Sequence, residues 1–72
     1  MGYVIIMNDR NAPSYPRSSR ARKQFNNIRQ AQEAIRFEFA RCKWSSGTTA
    51  SVITVKPNGQ HDQNVLTITK AA

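Results

Sequence analysis

The sequence predicts an α+β fold, a single helix packed on a small antiparallel or mixed sheet, and three observations carry that expectation. One stretch of helical periodicity, residues 28 to about 43, lies mid-chain. Segments of β-branched or alternating composition flank it, residues 3–7 before and residues 51–56 and 65–70 after. Finally, 72 residues at 39% apolar content supply one small core and one domain spanning 1–72, because a chain this short buries only roughly 60% of the surface it exposes when unfolded.

Taken in order, Tyr3-Val4-Ile5-Ile6-Met7 is an unbroken β-branched and aromatic run closed by the turn formers Asn8-Asp9. It reads as a strand buried on both faces. From about 10 to 19 the composition shifts to Asn, Pro and Ser, and Pro13 and Pro16 oppose regular structure on either side of Tyr15. A mobile loop is expected there. Residues 20–25 alternate, with Arg20, Arg22 and Gln24 on one side and Ala21 and Phe25 on the other. They form either a short edge strand or more loop, so the element order is ββαββ or βαββ.

Asn26 or Asn27 can cap the helix, and Asn27 with Gln30 approximates a capping box. Ile28, Ala31, Ile35, Phe39 and Cys42 then fall in one narrow arc that should face the core. Ser45-Ser46-Gly47 ends the helix. Beyond it, Ile53 and Val55 share one face of the next strand, Leu66 and Ile68 one face of the last, and Pro57-Asn58-Gly59 supplies a tight turn whose polar tip extends to Asn64.

Eleven Lys and Arg against four Asp and Glu give a net charge of +7. Residues 10–43 hold nine of those cations with only Glu33 and Glu38 as acids, so this stretch carries the whole imbalance. Its densest part is Arg17, Arg20, Arg22 and Lys23. On the helix Arg29, Arg36 and Lys43 recur every seven residues, within an arc of about 40°. Guanidinium groups so arranged suit phosphate contacts, since they make paired, charge-assisted hydrogen bonds to phosphate oxygens. Phe37 lies opposite the core stripe, and Trp44 falls on the same side if the helix reaches it. Flanked by Arg36 and Arg41, the two rings read as an outward hot spot. The competing reading folds Trp44 back over the sheet edge and covers Phe37 with the Pro-containing loop or a second copy of the chain.

Other chemistry is sparse. Cys42 is the single cysteine, which excludes an internal disulfide and a cysteine-built zinc site, favours a reducing compartment, and reads as core. His61 beside Asp62 has no nucleophile or acid pair placed to form a triad and reads as a solvated side chain. The longest apolar run has five residues, against the roughly 20 that a membrane helix requires. The expectation is therefore a cytoplasmic protein that is not an enzyme, uses no cofactor or metal and does not enter a membrane. It would be a monomer or small homo-oligomer. One helix is too few for a helix-turn-helix, and neither an RNA-recognition motif nor a double-stranded RNA-binding domain fits the element order.

The opening Tyr-Val-Ile-Ile strand, the polar basic stretch, the helix carrying Gln30-Ala31-Gln32-Glu33-Ala34, and Val52-Ile53-Thr54-Val55 ahead of a Pro-Asn-Gly turn together resemble small phage-encoded anti-CRISPR proteins. The resemblance spans most of the chain and lies in the size and order of elements. It implies a non-catalytic inhibitor, encoded by a phage or mobile element, that docks on a host nucleoprotein complex or an acidic protein surface. The alternative is a sequence-independent module that binds DNA or RNA directly, or a small ribosome-associated protein.

Overall fold

A computed structural model describes residues 2–71. Its elements are β1 (Gly2–Asp9), β2 (Ala12–Ser14), α1 (Ile28–Arg41), β3 (Thr49–Val55) and β4 (His61–Thr69). The strands form one antiparallel sheet in the order β2-β1-β3-β4, and α1 packs on one face of it. The order is thus ββαββ, but the second strand is not the one the alternation suggested.

That strand is Ala12–Ser14, inside the stretch expected to be a mobile loop. Arg10 and Asn11 both take positive φ, 54° and 65°, which is the geometry of a two-residue hairpin turn matched to strand twist. Pro13 is tolerated because it pairs with Asn8 between two hydrogen-bonding positions, so its missing N–H would have pointed off the edge of the sheet. Of residues 20–25, only Phe25 pairs, exchanging backbone hydrogen bonds with Tyr3 at 2.9 and 2.7 Å. The alternation is nonetheless visible in burial: Ala21 and Phe25 are buried, whereas Arg20, Arg22 and Gln24 are exposed.

Asn27 caps the helix, its Oδ1 accepting from the Gln30 N–H at 2.8 Å. The helix stops at Arg41, short of the expected 43, where Cys42 turns extended after donating a last backbone bond to Glu38 at 2.9 Å. Ala31, Ala34 and Ile35 face the sheet, and the two alanines let the helix lie close. They meet Ile5 and Met7 of β1 and Ala50 and Val52 of β3, with Ala21, Phe25 and Trp44 closing the margins. Leu66 and Ile68 pack against this cluster from β4.

Ile53 and Val55 share one face of β3, as expected. Register places Val52 beside Ile5 and Ala50 beside Met7, so it is the alternate face, with Ala50 and Val52, that points to the helix. The turn is Pro57-Asn58-Gly59 as expected, with Gly59 at φ +88° and its N–H donating to the Lys56 carbonyl at 2.8 Å. Its polar tip does not extend to Asn64. β4 begins at His61, and its extra residues are absorbed by register shifts against Val52, Ile53 and Val55. Such irregularities are a common protection for an exposed edge strand.

Candidate functional site

The connection from β2 to α1 carries the densest cations, and its path is fixed at three points. Pro16 is fully buried. The next two backbone N–H groups, of Arg17 and Ser18, donate to the Glu38 carboxylate at 2.7 and 3.1 Å. The chain then makes one helical turn, in which the Ser18 carbonyl accepts from Ala21 and Arg22 at 3.2 Å, and returns to the sheet at Phe25. Ala21 points inward, so Arg20, Arg22 and Lys23 are displayed outward.

Glu38 is the residue that the sequence reading passed over. It lies three positions after Ile35 and seven after Ala31, inside the buried arc of the helix, and is 0% exposed. Its third donor is the Trp44 indole Nε1 at 2.7 Å. Burial pushes this carboxyl upward, but the hydrogen bonds from Arg17, Trp44 and Ser18 outweigh it, and the net effect holds the group below its ordinary value of 4.5. All three donors are neutral groups. The Ser18 hydroxyl is buried beside them without a hydrogen-bond partner among the described residues.

Trp44 is therefore no outward hot spot: it is 7% exposed and part of the core. The helix ends three residues before it, and the indole folds back to satisfy Glu38. Lys43 likewise leaves the helical ridge, and its carbonyl accepts from Arg17 Nη1 at 2.6 Å. The Arg17 guanidinium lies over the Trp44 ring, 4.3 Å from its centre. Phe37 is half-buried rather than bare; Arg20 stands over its ring at 4.4 Å and Arg41 at 5.7 Å. Lys23 approaches the Phe25 ring at 5.6 Å. Arg22, Arg29 and Arg36 are exposed, and the last two stand about 10 Å apart along the helix.

The geometry thus brings Arg17, Arg20, Lys23 and Arg41 onto aromatic rings. A guanidinium stacked on a ring keeps its N–H edge free for an oxygen in its own plane while losing rotamer freedom before any ligand arrives. Between loop and helix lies an open cleft of about 370 Å³, lined by Arg20, Lys23, Gln24, Asn26, Gln30 and Phe37 with Glu33 on its wall. Cations, amide groups and ring edges are what such a cleft offers; no nucleophile with a neighbouring base is present among its lining residues. Cys42 is half-buried beside the core, and burial, followed by the Glu38 charge and hydrogen bond, pushes its thiol upward. His61 is exposed at the start of β4. Among the described residues no three His, Cys, Asp or Glu side chains converge as a metal cluster would require, and no helix is long and apolar enough to cross a membrane.

Compared with protein-family models, with curated proteins and with solved structures, the chain has no match in any of the three.

Proposed function

We propose that this protein is a non-catalytic binding protein that docks its cationic helix side on a polyanionic surface of a nucleoprotein complex. The observation that carries this reading is the locking of residues 17–18 to the buried Glu38 carboxylate. It makes a loop with four cations in seven residues a fixed neighbour of Arg29, Arg36 and Arg41, so that one preorganised face bears charge drawn from both. Preorganised cations lose less entropy on meeting phosphates, and their field steers the encounter. The likeness in layout to phage-encoded anti-CRISPR proteins supports a nucleoprotein rather than naked nucleic acid as the target, and with it the role of an inhibitor of a host machine in the cytoplasm.

The test uses Arg22, Arg29 and Arg36, because Arg20 also covers Phe37 and its loss would perturb folding. Charge reversal of all three to Glu should lower affinity for a purified RNA-guided surveillance complex by about a hundredfold or more, mainly through slower association. Melting should stay within roughly 0.5 kcal/mol per substitution. On naked duplexes of unrelated sequence, binding should be weak and equal, with log K falling against log salt at a slope of about −4 to −5 for four to six phosphate contacts. Undiminished affinity of the triple variant, or a tight salt-resistant complex with one DNA sequence, would overturn the proposal.

A further inference from the structure

We propose that the sheet face opposite the helix is the interface of a homodimer, two copies meeting sheet to sheet. The helix covers one face only. On the other, register places Val4 of β1 beside Ile53 of β3, and Ile6 beside Ser51. All three apolar side chains are half-buried on a face that no helix or strand of the described residues covers; only its Gly2–Val55 end is closed, with Gln24 standing over Gly2 and Val55 buried. β1 is an inner strand whose run Tyr3-Val4-Ile5-Ile6-Met7 has the composition of a strand buried on both sides. An antiparallel sheet with one wet face shows alternation instead. The fold leaves half of that burial unfulfilled.

The surroundings of the apolar centre say what fulfils it. Ser51 and Thr67 approach Oγ to Oγ1 at 3.3 Å, and the Asn64 amide donates to both, at 3.3 and 3.0 Å. The polar groups next to Val4, Ile6 and Ile53 thus satisfy one another and require neither water nor a charged partner. None of these six residues is charged. Arg22 and Lys23 reach the face only at the open edge of β1, where they line a depression with Val4 and Tyr15. An apolar centre with a self-satisfied polar border on its β4 side is the anatomy of a protein interface. Charge then selects the occupant. The segment between β1 and β3 carries the whole +7, and the rest of the chain is balanced; with cations only at its β1 edge, this face is where two like-charged copies can approach with least repulsion. An isologous pairing of sheets about 10 Å apart needs no further complementarity. Tyr15, exposed at 62%, stands at the margin, where Ile6, Pro13 and His61 share a shallow depression with it. Its ring is placed to reach across to the second copy.

Strands of eight, three, seven and nine residues give a face of roughly 430 Å², at about 4.8 Å per strand and 3.3 Å per residue. The pair would bury about 860 Å², the size of a weak, transient interface. A dimer with a dissociation constant on the order of 100 micromolar is therefore expected, with its two cationic helix layers facing outward in opposite directions.

Sedimentation equilibrium of the full chain, from low micromolar to near-millimolar protein, tests this. The wild type should dimerise with little dependence on salt. Ile53→Lys should raise the dissociation constant roughly a hundredfold by setting like charges against each other across the twofold. Thr67→Lys, on an exposed residue of β4 whose hydroxyl bonds Ser51 and Asn64 only at the solvent surface, should do the same with melting close to that of the wild type, which guards against misfolding of the first variant. Arg29→Glu with Arg36→Glu should leave the dimer intact. A wild type that stays monomeric throughout would overturn the inference and leave the face to a different protein. Persistence of the dimer in Thr67→Lys, or its loss in the helix variant, would place the contact elsewhere and overturn it as well.

Discussion

Glu38 shows how one residue couples folding to display. A carboxylate taken out of water is costly unless its oxygens are occupied, and here two backbone N–H groups and an indole occupy them. Glu38→Gln keeps the shape but turns an amide toward donors, and should cost about 2–3 kcal/mol in denaturant titrations. Because the folded carboxyl titrates below its ordinary value of 4.5, its contribution is complete above that value and is lost as pH falls through the folded one. An acid-induced fall in melting temperature that Glu38→Gln does not share is the expected signature; parallel pH profiles would count against it. Trp44→Ala should destabilise by about 3–5 kcal/mol, as much as the core control Ile35→Ala, whereas Phe37→Ala, half-covered by two guanidiniums, should cost less than either. Ser18→Ala removes a buried hydroxyl that makes no close hydrogen bond yet lies near enough to Glu38 to help hold its carboxyl low, and should cost less than about 1 kcal/mol.

At the level of elements, the turns are where the backbone chemistry is most exacting. Arg10 holds a left-handed conformation at φ 54° that a side chain of its length disfavours. Replacing Arg10-Asn11 by Asn-Gly, the pair that such turns prefer, should raise stability by about 1 kcal/mol, read as a higher melting temperature. Gly59→Ala, at φ +88° with open space around the missing Cβ, tests backbone strain alone and should cost about 1 kcal/mol. These turns explain why β2 was hidden. Pro13 and Pro16 signal loop to any local reading, and only the pairing of Asn8 with Pro13 shows that one proline sits where its missing donor does not matter. The polar run His61-Asp62-Gln63-Asn64 concealed half of β4 for a related reason, since an irregular edge strand need not alternate.

Over the whole molecule, the two sides of the sheet differ in charge more than in shape. Residues 10–43 carry nine cations and two carboxylates, eight of the cations on the connection, α1 and its end and the ninth, Arg10, in the β1–β2 turn, and the remaining chain is neutral. A polyanion that binds only the folded state stabilises it by mass action. Adding heparin should therefore raise the melting temperature, and moderate salt should abolish the rise by screening. A heparin effect unchanged in the Arg22, Arg29 and Arg36 triple variant would show that these cations do not form the polyanion face.

Much of this organisation was legible in the chain itself. One helix with its cap at Asn27, the hairpin around Pro57-Asn58-Gly59 and the segregation of charge follow from periodicity, turn chemistry and counting, which are local properties. Local properties stop being informative where distant segments meet. Trp44 was open to two readings, outward on a longer helix or folded back over the sheet edge; the backbone turns out of the helix at Cys42, and the indole meets a buried carboxylate six residues behind it. Glu38 drew no structural reading because two of its three donors come from residues 17 and 18, some twenty positions away. For β3, alternation fixes which residues share a face but not which face the helix covers. That choice belongs to the pairing of β3 with β1, and it sets Val4, Ile6 and Ile53 together on the side that this chain leaves open.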